Sequence, residues 1–164
     1  MKLLFGLLLM TVTTQAHALK LTASFSDGQP LPLESGWKSG NVVPRLSWSG
    51  APEKTKSFAL ICDDPDAPTA QPWVHWVIFN IPTTETSLPS DAKGSVQGIN
   101  SYGKQGYGGP YPPEGQTHRY YFKLYALDTL LSLPAGSTKE QLESAMKGHI
   151  LATAQIIGTY ARKK

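Results

Sequence analysis

Apolar and polar residues alternate along LKLTASFS, residues 19–26, the period-two pattern of a strand with one face buried and the other in water. In SFALICD (57–63) and WVHWVIFNI (73–81) the apolar run is nearly continuous, as in strands covered on both faces. PRLSWSG (44–50), HRYYFKLYALD (118–128) and ILATAQIIGTYAR (150–162) complete a set of strands separated by turn-rich segments. One stretch has helical grammar. Ser137 followed three residues later by Glu140 reads as a capping box, KEQLESAMK supplies helix formers and Gly148 stands where a C-terminal cap belongs, which predicts a helix over 138–147. A weaker helix or a turn is expected in LPSDAK, 88–93. Several short strands with so little helix predict a mainly β domain resembling a sandwich.

Length changes this picture little: 164 residues suit one domain. The first 18 residues stand apart from it. A basic start (MK), the apolar run LLFGLLLMTV and TTQAHA, ending in Ala-x-Ala, spell a secretory signal peptide. Cleavage after Ala18 is expected to leave a domain of residues 19–164 starting at Leu19. The apolar run is well short of the about 20 residues that span a bilayer. The expected product is therefore periplasmic or secreted and not membrane-spanning. Its formal charge of +3 falls to +2 when Lys2 leaves with the leader, and no basic stripe suggests a nucleic-acid partner. The closing YARKK reads as a solvated tail. Cys62 is the single cysteine, so no internal disulfide is available, and within FALIC it reads as a small buried hydrophobe.

Between the strands lies GSVQGINSYGKQGYGGPYPPEGQT (94–117), too long for an ordinary connection and therefore a functional or disordered loop. Three histidines follow the leader. His149, just after Gly148, reads as a partner for the last carbonyls of the helix. Period two places Trp73, His75, Val77 and Phe79 on one strand face and Val74, Trp76, Ile78 and Asn80 on the other. His118 shares a face with Tyr120, while Arg119 points the opposite way, towards a carboxylate elsewhere. Asp64 and Asp66 stand just beyond SFALIC, with Pro65 between them. Spacing alone leaves two readings of these strand ends, a hydrated polar rim or one site.

DDPDAP, WVHWVIFNIP and GYGGPYPPEGQTHRYYFKLYALD, in this order and flanked by PRLSWSGAP and GHILATAQIIGTYAR, resemble the phosphatidylethanolamine-binding protein family, also called Raf kinase inhibitor-like proteins. The likeness is greatest to its bacterial YbhB/YbcL branch and covers nearly all of residues 19–162. It implies a β-fold in which a large central sheet packs on a smaller one with few peripheral helices. It also implies a small pocket for anions such as phosphate or phosphoryl head groups. Carried onto this chain, the family's ligand-binding positions fall on Asp64, Asp66, His75, Gly109, Pro110, Pro112, His118 and Tyr120; Pro113 and Arg119 complete the matching motifs. The chain departs from the pattern at Val74, where many eukaryotic members carry a second histidine, and at Tyr111, inserted into the Gly-Pro-Pro loop.

A phosphoryl group lies comfortably beside Asp64 and Asp66 only if these are paired or protonated. The expected arrangement has the aspartates orienting His75 and His118. Imidazole N–H groups, the Tyr120 hydroxyl and backbone N–H groups near Gly109 would then meet the anion. No nucleophile stands beside a base, and NSYG around Ser101 is not a nucleophile elbow, so binding without turnover and without a cofactor is expected. Two alternatives stay open. Two Asp and two His also suit a metal-dependent hydrolase. The domain could instead be an interaction protein with a vestigial pocket, meeting a protein partner through an exposed Tyr107, Tyr111 and the neighbouring prolines. A homodimer stays open as well.

Overall fold

The computed structural model describes residues 18–90 and 93–162. Residues 1–17 of the expected leader, Asp91 and Ala92 in the expected weak helix, and the tail residues Lys163 and Lys164 lie outside the described residues. In chain order the elements are β1 (Lys20–Ala23), β2 (Leu46–Ser49), β3 (Ser57–Asp64), β4 (Trp73–Ile81), β5 (Ser87–Leu88), β6 (Val96–Gln97), β7 (Thr117–Leu127), α1 (Lys139–Met146) and β8 (Ile150–Ala161), with one 3-10 turn at Leu33–Ser35. They form two antiparallel sheets, a small one in the order β1-β2-β5 and a large one in the order β6-β4-β3-β7-β8. The protein is mainly β, as its alternating pattern predicts. Among the described residues no helix is long and apolar enough to cross a membrane.

The large sheet is covered twice, which is why β3 and β4 read as unbroken apolar runs. On one face, Leu21, Leu46, Trp48 and Leu88 of the small sheet pack on Phe58, Leu60, Trp76, Ile78, Phe122 and Leu124. On the other, Leu142 and Met146 of α1, with Leu131, close over Ala59, Ile61, Val77 and Phe79. All eight residues of β3 are buried in consequence. Leu19 is part of the core between the sheets.

The helix starts one residue later than its capping grammar suggests. Thr138, not Ser137, is the N-cap: its hydroxyl accepts from Gln141 N (3.2 Å) and Gln141 Oε1 accepts from Thr138 N (2.9 Å). The Ser137 hydroxyl donates to Pro134 O instead (2.7 Å). Lys139, the first helical residue, reaches across to Asp63 on β3, as does Lys123 of β7 (2.9 Å), and this buried cluster pins α1 to the sheet. In 88–93, Leu88 ends β5 and Lys93 begins a turn, so the described residues there form no helix.

Candidate functional site

Two irregularities in β4 set the geometry of the site. Cys62 pairs with Trp76 and Asp63 with Val74, so His75 is an extra residue opposite β3; Asn80 is a second one, between the pairs Phe58–Ile81 and Leu60–Ile78, and has φ +54°. Each bulge reverses the alternation that period two predicts. Val74 therefore packs with Val77 and Phe79 under α1. Trp73 faces Asp64 in the register, and the His75 ring stands edge-on to Tyr120 (centroids 5.1 Å apart) on the Asp64 side of the sheet. The grouping of His75 with Val77 and Phe79 is thus corrected: the bulge turns the imidazole towards the other strand ends.

There, Asp64, Trp73, His75 and His118 meet Ala67, Pro68 and Thr69 of the loop after β3, Tyr102 and Tyr111 to Pro113 of the long loop, and Arg162, around a cavity of 390 Å³. At its floor His118 donates from Nδ1 to Asp64 Oδ2 (2.7 Å), both side chains buried, while Asp64 Oδ1 accepts from Asp66 N (2.8 Å). His118 Nε2 lies 3.1 Å from Gln116 Oε1. His75 is oriented by Gly108 O, not by an aspartate; a carbonyl only accepts, so Nδ1 carries the proton.

Of the eight expected ligand positions, Asp64, His75, Pro112 and His118 line the cavity, and four others lie elsewhere. Asp66 turns away to Arg119, accepting from its backbone N (2.9 Å), Nε (2.9 Å) and Nη2 (2.7 Å), which is the pairing expected of Arg119. Gly109 and Pro110 build the seam behind the wall: Gly109 N donates to Asn41 Oδ1 (2.7 Å), Tyr102 OH to Gly109 O (2.9 Å) and Trp37 N to Pro110 O (2.9 Å). Tyr120 is enclosed beside His75, and its hydroxyl has no protein partner among the described residues.

The long loop owes its order to β4, whose outer edge it follows. Gly98 N, Ser101 N and Gly108 N donate to the carbonyls of Val77, Val74 and His75 in turn. Tyr107, expected to be exposed, instead packs on the core between the sheets and donates to Ser35 O (3.1 Å). The His149 side chain pairs with Asp128 (2.8 Å), while its backbone N donates to the carbonyl of Met146 at the helix end (2.9 Å). Sequence reasoning missed Trp73, Tyr102 and Arg162 as cavity residues. Tyr102 also stacks on Trp37 (4.2 Å, 4°). Its position in a glycine-rich loop was the available signal.

Residues 21–161 match the family described as phosphatidylethanolamine-binding protein. The chain belongs to that family. It is 49% identical over 148 residues to a UPF0098 protein of Methanothermobacter thermautotrophicus, covering 86% of this chain and 97% of that protein. The crystal structure of a phosphatidylethanolamine-binding protein homologue from Chlamydia trachomatis superposes with a TM-score of 0.83 at 42% identity, covering 90% of this chain and 99% of that one. That of Escherichia coli YbcL, described as a member of the mammalian PEBP family, gives 0.82 at 37%, covering 88% and 99%. A large sheet backed by a smaller one is therefore the family's fold in this chain too.

Within this member of the phosphatidylethanolamine-binding protein family, burial pushes the His75 pKa below its ordinary 6.5, against the pull of the Gly108 carbonyl. Hydrogen bonds from Arg119 hold Asp66 down at about 2. Both folded groups take up a proton less readily than their unfolded counterparts. Stability is therefore complete above the unfolded values of 6.5 and 3.8, and is lost as pH falls, first through His75 and then, towards about 2, through Asp66. The melting temperature is expected to drop between about pH 7 and pH 5, and His75→Gln to flatten that part of the curve in scanning calorimetry. A parent curve as flat as the variant's would contradict the buried neutral imidazole. Cys62 is buried and its thiol pKa is raised by that burial, which makes it a core residue. Among the described residues no three His, Cys, Asp or Glu side chains form a metal-binding group.

Proposed function

We propose that this chain is an exported binding protein for small phosphate-type anions, whose occupied pocket modulates a partner protein. The observation that carries the reading is the buried Asp64–His118 pair at the floor of a cavity with largely apolar and aromatic walls. A carboxylate at Nδ1 settles the imidazole's orientation and leaves Nε2 aimed away from Asp64; in the imidazolium form that Nε2–H is a charge-assisted donor for an anion. Asp64 is then neutralised by its partner and does not repel the ligand. Gln116 Oε1, on the same Nε2, stands where an anionic oxygen would bind. His75, pinned by Gly108 and buried, shapes the floor instead of supplying charge.

Export rests on the leader grammar of residues 1–18, and a purified mature chain beginning at Leu19 is the check on it. A partner reading the filled pocket would meet Tyr111, 44% exposed at the rim. The central test is calorimetric titration of methyl phosphate into the metal-stripped parent protein and into His118→Ala. The variant is expected to lose affinity at least about tenfold, a difference of about 1.4 kcal/mol. A folded parent that takes up no phosphate ester defeats the reading, and equal affinities remove His118 from it.

A further inference from the structure

The ending YARKK has the composition of a solvated tail, yet Arg162 forms part of the cavity wall. Its place follows from the register. His118 on β7 is opposite Tyr160 on β8, and Thr117 is opposite Ala161. Two residues beyond Tyr160 along the strand direction, Arg162 returns to the same sheet face, diagonal to His118. Such diagonal neighbours lie about 7–8 Å apart, within reach of a long side chain.

We propose that Arg162 is a second anion-binding group of this cavity, and that with His118 it selects doubly charged phosphomonoesters over singly charged phosphodiesters. The inference rests on the anion-binding reading above. Three observations carry it. Among the described residues Arg162 is the only lysine or arginine lining the cavity, and the Asp64–His118 pair beside it has no net charge when ionised. Its present ion pair is loose: Nη2 stands 4.0 Å from Glu114 Oε2, with both side chains partly in solvent. Exposed pairs of this kind contribute little to stability, so a ligand can take the guanidinium over from Glu114. Finally, the guanidinium lies over the Tyr111 ring at 4.6 Å. That contact holds the cation at the rim, where its N–H groups can meet a planar fork of oxygens once Glu114 is displaced.

A phosphomonoester dianion has three terminal oxygens, enough for His118 Nε2 and the Arg162 fork together. A diester has two terminal oxygens and a single charge, so it engages His118 and gains little from Arg162. Arg162 is absent from the expected site because its signal was a position one residue past the end of β8, set by the β7–β8 register.

The experiment compares methyl phosphate, a dianion at about pH 8, with dimethyl phosphate, a monoanion, by calorimetric titration of the parent, Arg162→Gln and Glu114→Gln proteins. The parent is expected to prefer methyl phosphate. Arg162→Gln should weaken methyl phosphate about tenfold and leave dimethyl phosphate nearly unchanged, erasing the preference; Glu114→Gln, which removes the competing carboxylate, should strengthen methyl phosphate. Methyl phosphate affinity unchanged in Arg162→Gln overturns the proposal while the pocket reading stands. Equal losses for both ligands overturn the selectivity. A folded parent that binds neither overturns both the proposal and the reading beneath it. Thermal melts of each variant accompany the titrations, and should Arg162→Gln melt early, the Glu114→Gln result decides: no gain for methyl phosphate counts against Arg162.

Discussion

Gly109→Ala is expected to lower the unfolding free energy by about 3 kcal/mol, the upper end of what overpacking costs, and to remove the proposed anion binding with it. A Cβ on Gly109 would stand 2.1 Å from Ser35 O and 2.8 Å from Trp37 N. Both are backbone atoms, so no rotamer change makes room. Moving the Leu33–Ser35 turn aside would in turn pull Trp37 off Tyr102 and break the Asn41 and Trp37 hydrogen bonds that seat the loop. The wall of the cavity hangs from that seam. Urea unfolding measures the effect as a lower midpoint at unchanged slope, with Tyr111→Ala at the exposed rim as the control expected to leave the midpoint nearly in place. A Gly109→Ala midpoint equal to the parent's would show that the seam yields and that the loop is held elsewhere.

The second large effect belongs to Asp63, on the opposite side of the sheet. Its carboxylate is almost wholly buried and receives Lys123 and Lys139 together. Asp63→Asn takes away the negative charge and leaves two ammonium groups facing a neutral amide, one of them largely buried. Breaking a buried pair from one side costs about 3–5 kcal/mol, and the partial exposure of Lys123 sets the expectation at the lower figure, about 3 kcal/mol. Lys139→Met should cost much less, because Lys123 remains to neutralise Asp63 and the added apolar surface packs beside the helix. Denaturant midpoints of the two variants decide the matter. A loss within about 0.5 kcal/mol for Asp63→Asn would mean that both lysines turn out to water at no cost and that α1 is fastened by Leu142 and Met146 alone.

The carboxylates of CDDPDAP show how far local pattern reaches. The stretch predicts charge at a strand end and a need for partners. Asp64 meets His118 as expected, but the stretch does not show the other two destinations: Asp63 goes to Lys123 of β7 and Lys139 of α1, and Asp66 to Arg119 instead of a histidine. Alternation along β3 separates Asp63 from Asp64, but the identity of each partner depends on which strand lies alongside. The helix cap is a smaller case. Ser137 and Thr138 are adjacent hydroxyl residues, each with a Glu or Gln three positions later, and only backbone geometry chooses between two equally good boxes.

What the sequence by itself determined is the six longer strands and the family, because each such strand's apolar period is a local property and the motifs stand in order along the chain; the two-residue β5 and β6 are too short to carry a period. The tertiary structure alone decided which side chains meet. An extra residue opposite β3 turns His75 towards His118, hydrogen bonds along the edge of β4 fold the glycine-rich loop over the floor, and the β7–β8 register carries Arg162 to the rim. A bulge, an edge and a register are relations between strands, and the physical reason they escape a reading of one strand is that each is fixed by the hydrogen bonds and packing of its neighbour.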